Sequence, residues 1–128
     1  MLEYEEKLII TKHQYERLLC AFPTLKTITQ TNYYYDTEEL LLNSRRITFR
    51  IREKGNTLIA TVKKHSISDA YCSEETTYPV SDIMGQIKYE NQTLRLFGSL
   101  VSERRTIICN EGIECTVDKN TYLNKIDY

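Results

Sequence analysis

The feature that most constrains this chain is a pair of alternating runs separated by a turn. Ile47–Glu53 and Thr57–Lys64 each switch between apolar and polar residues, and Lys54-Gly55-Asn56 lies between them with a glycine available for positive φ. Period-2 alternation over this length marks a strand, and two such runs around a short turn mark a β-hairpin. In the first run Ile47, Phe49 and Ile51 share one face, opposite Thr48, Arg50 and Arg52. In the second, Leu58, Ala60 and Val62 oppose Thr57, Ile59, Thr61 and Lys63. The apolar faces need a core. The other faces carry arginine and lysine among small hydroxyl residues, rather than the mixed Lys, Glu and Gln of a plainly solvated sheet.

The rest of the chain extends this pattern. Gly and Pro number only four and two, so regular elements predominate. Residues 3–10 read as a strand. A helix is expected over 12–22, opened by Thr11 as N-cap, striped with Tyr15, Leu18, Leu19 and Phe22, and ended by Pro23. Thr31–Asp36 and residues 71–78 read as strands, and Ser81–Glu90 as a helix. Val101–Ile108 and Ile113–Asp118 form a strand pair around Asn110-Glu111-Gly112, and Ile126-Asp127-Tyr128 begins another strand. About seven strands and two short helices predict an α+β fold with a mostly antiparallel sheet, close to the strand number of a small closed barrel. The 128 residues suit a single domain, 1–128, able to bury a core without staples, and no repeat or linker interrupts it.

Composition narrows function mainly by exclusion. A formal net charge of −1 provides no global basic field for nucleic acid or membrane surfaces. Cys20, Cys72, Cys109 and Cys115 show no zinc-like spacing and read as free thiols of a reducing compartment. With an acidic N-terminus and no long apolar run, the expected location is cytoplasmic.

Charge is instead segregated locally. Within Glu3-Tyr4-Glu5-Glu6-Lys7, a strand places Glu3, Glu5 and Lys7 on one face. Carboxylates roughly 6.6 Å apart repel by about 2–3 kcal/mol at an effective dielectric near 20. If that face is enclosed, a hard divalent cation is the natural counter-ion, with Lys7 a phosphate partner; a solvated mixed-charge strand is the plainer alternative. Further on, Ser102, Arg104 and Thr106 oppose Val101, Glu103, Arg105 and Ile107, while Glu114, Thr116 and Asp118 oppose Ile113, Cys115 and Val117. A sheet closed around its polar face would enclose Arg50, Arg52, Lys63 and Arg104 with Glu3 and Glu5 at one side. Unpaired buried charges cost several kcal/mol each, so such a tunnel holds water or a polyanion with metal.

These stretches resemble the CYTH domain of the triphosphate tunnel metalloenzymes, particularly its bacterial cytosolic branch. The resemblance is carried by Glu3-Tyr4-Glu5-Glu6-Lys7 as an ExExK signature, Tyr34-Tyr35-Asp36-Thr37, Phe49-Arg50-Ile51-Arg52 and Thr61-Val62-Lys63. It continues through Glu75-Thr76, Gly98–Arg104, Val117-Asp118, Tyr122-Leu123 and Asp127-Tyr128. It implies an antiparallel β-barrel, a tunnel of about eight strands under short covering helices, that hydrolyses triphosphate-containing substrates with Mg²⁺ or Mn²⁺. Glu3 and Glu5, joined by Glu75, inherit metal binding. Lys7, Arg50, Arg52, Lys63 and Arg104 inherit phosphate binding, Lys7 and Arg52 with catalytic roles, and Asp118 an orienting role. The implied partner is a triphosphate-containing small molecule or polyphosphate.

The resemblance also carries departures. Family members continue past the position of Tyr128 with a strand bearing further acidic residues, so either the chain is truncated, as expected here, or it ends early by nature, with an open seam in the tunnel and a metal site short of carboxylates. The unpaired edge would invite a homodimer. Residues 82–97 look short for the family's helical cover. Adenylate cyclase chemistry shares the same lining, and a non-catalytic polyphosphate or nucleotide sensor fits a site short of carboxylates. A structural sheet with wet polar faces is the plainest alternative.

His13 and His65 read as solvated, the Tyr33-Tyr34-Tyr35 run as strand packing on both faces, and Cys72 and Cys115 as small apolar residues. Arg105 is expected on the outer surface.

Overall fold

The computed structural model describes all residues, Met1–Tyr128. The elements are β1 (Leu2–Tyr4), α1 (Lys12–Ala21), β2 (Thr24–Asp36), α2 (Leu41–Ser44), β3 (Ile47–Lys54), β4 (Thr57–His65), β5 (Cys72–Pro79), β6 (Gln86–Tyr89), β7 (Gln92–Ile108), β8 (Glu114–Thr121) and β9 (Ile126–Asp127), with a 3₁₀ turn at Asn110–Gly112 before β8. The strands hydrogen-bond in the order β1-β5-β4-β3-β2-β7-β8-β9, with β6 pairing β7. The α+β arrangement read from alternation is therefore present, with few and short helices. No helix is long and apolar enough to cross a membrane.

The chain divides into two compact units. The first comprises Met1–Lys7 and Asn32–Ser99. Its centre is the β3–β4 hairpin, in register from Ile47↔Lys64 to Lys54↔Thr57 and turned by Gly55 at φ 60°. Alternation sends Phe49, Ile51, Ala60 and Val62 into a core completed by Tyr35, Leu42 and Leu94. The rings of Tyr35 and Tyr89 each meet Phe49 edge-on, at 5.8 and 5.6 Å between centroids. Full burial of a side chain such as Phe49 contributes about 1.5–3 kcal/mol. The Asp36 carboxylate accepts from the backbone N–H groups of Leu42 and Asn43 at 2.9 and 3.0 Å. It thereby fixes α2, whose Leu42 plugs the core.

Three expectations for this unit need correction. Ser81–Glu90 is not a helix: Gln86–Tyr89 is a strand paired with β7 from Gln86↔Arg95 to Tyr89↔Gln92. The turn residues Glu90 and Asn91 both take left-handed φ, 44° and 64°, as tight hairpins require. Ile87 and Tyr89 alternate onto the core, and that burial outweighs local helical preference. Secondly, β1 stops at Tyr4 instead of running to residue 10. Its one partner, β5, starts opposite it at Cys72, and beyond that pair only Glu5 N–H reaches Tyr71 C=O, at 3.0 Å. Finally, the sheet has nine strands, β6 among them where a helix was expected, and β2 is longer than read, beginning at Thr24 instead of Thr31.

The second unit comprises Leu8–Thr31 and Leu100–Tyr128. Thr11 caps α1 through a reciprocal capping box with Gln14, and Pro23 follows the helix end. Tyr15, Leu18, Leu19 and Phe22 pack against Ile107 and Val117 of the β7–β8 pair. That pair turns through Glu111 and Gly112, at φ 65° and 74°. β9 pairs β8 through Asn120↔Asp127, and Tyr128 stacks on Tyr15 at 4.6 Å.

Candidate functional site

With Ala60 and Val62 committed to the core, β4 must present Thr61, Lys63 and His65 on its other face. Register then sets the neighbours, placing Thr48 of β3 on one side of Lys63 and Glu75 of β5 on the other. Lys63 is only 8% exposed, yet its ammonium is satisfied. Its Nζ donates to Glu5 Oε1 at 3.2 Å and Glu3 Oε1 at 3.3 Å, and lies 3.6 Å from Glu75 Oε2. Three carboxylates thus surround one cation. Glu75 is held below the usual carboxylate range by its hydrogen bond with the Glu3 carboxyl, assisted by Lys63 and Arg50 and opposed by burial.

Beside this cluster lies a cavity of about 420 Å³ lined by Glu5, Lys7, Arg50 and Lys63 with Tyr34, Thr48 and His65. Residues 70–73 complete its wall. Lys7 is loosely held, with 72% of its side chain exposed and Glu5 3.9 Å away. Arg50 differs: it lines the cavity, and its Nε is buried without a hydrogen-bond partner. Three carboxylates face three basic residues here, so the local charge balances before anything enters.

The structure thus brings Glu3, Glu5, Glu75, Lys7, Arg50 and Lys63 together in the first unit. Arg52, on the same strand face as Arg50, donates from Nε to Asn32 Oδ1 at 2.8 Å. Arg104 and Asp118 face each other directly across β7 and β8 in the second unit. They form a two-pronged ion pair with both bonds at 2.9 Å. Arg105 is half-buried, its guanidinium bonded to Glu103 at 3.2 Å. No three Asp, Glu, His or Cys side chains stand close enough to hold a metal ion unaided, and the Lys63 ammonium lies among Glu3, Glu5 and Glu75.

Sequence reasoning missed His65. It was read as solvated; its ring is exposed, but it lines the cavity and its Nε2 is 3.3 Å from Thr48 Oγ1. The signal was available, since His65 lies two residues beyond Lys63 on the same strand. Tyr34 was absorbed into strand packing, whereas Tyr33 and Tyr35 pack on the core and Tyr34 turns to the cavity. His13 is exposed on α1.

Fold and cavity together define an antiparallel β protein with a mixed-charge cavity in its first unit. The chain belongs to the CYTH domain family, whose model matches residues 1–128. It is similar to YjbK of Bacillus subtilis, described as a candidate triphosphatase, at 28% identity over 142 residues, covering 99% of this chain and 74% of that protein. Two solved structures share the fold. One, from Bacillus halodurans and described as a candidate adenylate cyclase, is 22% identical with a TM-score of 0.72, covering 98% of this chain and 76% of that one. The other is HpAC1 of Hippeastrum, an adenylyl cyclase candidate for which a dominant triphosphatase activity is described. It is 19% identical with a TM-score of 0.64, covering 99% of this chain and 74% of that one.

Proposed function

We propose that the chain hydrolyses a triphosphate-containing substrate, inorganic or organic, with Mg²⁺ or Mn²⁺. The observation that carries this is the Lys63 ammonium bracketed by Glu3, Glu5 and Glu75 at the wall of a cavity shared with Lys7 and Arg50. Glu3, Glu5 and Glu75 offer the hard oxygen donors that these ions take, and the trio already accommodates a cation. When bound, such an ion neutralises phosphate charge and lowers the pKa of a coordinated water.

Lys63 stands at the cavity wall, where its ammonium would turn to a phosphate oxygen if the carboxylates held such an ion. Arg50 brings its guanidinium to the cavity wall, and Lys7 has the freedom to follow the terminal phosphoryl group. Lys7 and Arg52 carry the catalytic roles in this reading, stabilising negative charge as the terminal bond breaks; no protein nucleophile is needed. For Arg104, steadied by Asp118, a phosphate-binding role rests on motif resemblance, and Arg104→Ala tests it separately.

The test is phosphate release from tripolyphosphate, ATP and other organic triphosphates with each metal. Release is expected, and Glu5→Ala or Lys7→Ala should lower it at least about a hundredfold. A folded protein releasing none from any substrate overturns the proposal. The names of the two structural relatives put ATP in the panel, where cyclic AMP in place of phosphate would assign cyclase chemistry. Binding without turnover would assign a sensor. Cytoplasmic location belongs to the same reading, supported by four free thiols. The proposed homodimer is tested by sedimentation; β1 and β9 are only three and two residues long, which blunts edge pairing.

A further inference from the structure

We propose that His65 is an additional polyanion-binding residue, one that takes up a proton when a polyphosphate enters the cavity. This rests on the triphosphate reading and adds a residue and a pH dependence to it.

Geometry places the ring. His65 is the last residue of β4, on the same face as Lys63 and opposite Ser73 of β5. Its backbone N–H donates to Arg46 C=O at 2.9 Å, and Arg46 holds a left-handed φ of 59° just before β3. The imidazole Nε2 lies 3.3 Å from Thr48 Oγ1. A hydroxyl can donate to a neutral ring nitrogen or accept from a protonated one, so this contact survives a change of charge.

The charged and titratable groups around the ring come from every neighbouring element. They are Lys63 on its own strand, Arg46 and Arg50 from the β3 side, Glu5 and Lys7 after β1, Tyr34 from β2, and Tyr71 and Cys72 from the start of β5. In the ligand-free protein, loss of hydration first, then Lys63, Arg46 and Lys7, hold the imidazole below its ordinary pKa; Glu5 opposes them in part. A ring kept neutral among cations is one that a multivalent anion will charge. Filling the cavity with several negative charges reverses the local field, and each unit by which the His65 pKa rises tightens low-pH binding about tenfold over high-pH binding.

The chain has only two histidines, which makes the test direct. The imidazole C–H resonances of the whole protein are titrated by NMR, with and without saturating Mg²⁺ and the bis-methylene analogue of tripolyphosphate. His65→Gln assigns the two signals. His65 should shift its midpoint up by about one unit or more on saturation while His13 stays fixed. At about pH 6 His65→Gln should bind the analogue at least about threefold more weakly than the wild type, and at about pH 8.5 within about twofold. Saturable binding that is lost in Lys63→Ala but leaves the His65 midpoint unmoved overturns the role of His65 alone. No binding by the wild type at any pH overturns the triphosphate reading and this proposal with it.

Discussion

Take the Lys63 ammonium away and Glu3, Glu5 and Glu75 face one another with no cation between them. Lys63→Met should therefore cost about 1–3 kcal/mol near pH 7 in urea unfolding, below the cost of stranding a fully buried pair because Glu5 is well exposed. Arg50 poses the opposite case. Its Nε has no hydrogen-bond partner to lose and only its charge assists Glu75, so Arg50→Ala should cost at most about 1 kcal/mol of stability while weakening tripolyphosphate binding at least about tenfold. Calorimetry beside urea unfolding separates the two effects. Glu75 adds a pH signature. Its folded-state pKa is depressed, so its stabilisation is fully present above the ordinary carboxylate value and is lost as pH falls through the lower folded value. Glu75→Gln should be less stable than the wild type near pH 7, and the gap should close progressively as pH falls below the ordinary carboxylate value. A gap that persists in acid would contradict the assigned shift.

Among the elements, local signals decided what could be foreseen. β3 and β4 were legible because Phe49, Ile51, Ala60 and Val62 alternate without interruption and Gly55 marks the turn. α1 was legible from Thr11, its stripe and Pro23. β6 was not. Ile83, Met84 and Ile87 fall at helical spacing, and the Glu90-Asn91 turn contains no glycine to announce a hairpin. Only pairing with β7, invisible to local pattern, settles that stretch. β1 shows the same divide within one motif. Its alternation pointed Glu3 and Glu5 the same way, and both meet Lys63, but the strand's length was fixed by where a distant partner begins. For His65 the alternation was there to use and was passed over in favour of the commoner fate of loop histidines. The β6–β7 turn carries its own prediction. Asn tolerates the left-handed region better than Glu, so Glu90→Asn should stabilise the protein by about 0.5 kcal/mol, read as a small rise in Tm.

At the scale of the molecule, ligand and fold are linked by mass action. A metal–tripolyphosphate mixture at about 100 times its Kd should add about 2.7 kcal/mol of stability and raise Tm by several degrees, and a chelator should reverse the rise. A Tm unmoved by tripolyphosphate and metal at high concentration would show that the folded protein does not bind them and would count against the triphosphate reading. Because Lys63 already sits among the acidic trio, the resting protein carries its own plug. A solitary divalent ion must evict it, and a solitary phosphate must coax it away from three competitors. On the triphosphatase reading, joint arrival would satisfy both sides, so the protein should respond far more strongly to a metal-complexed polyphosphate than to free magnesium or orthophosphate alone.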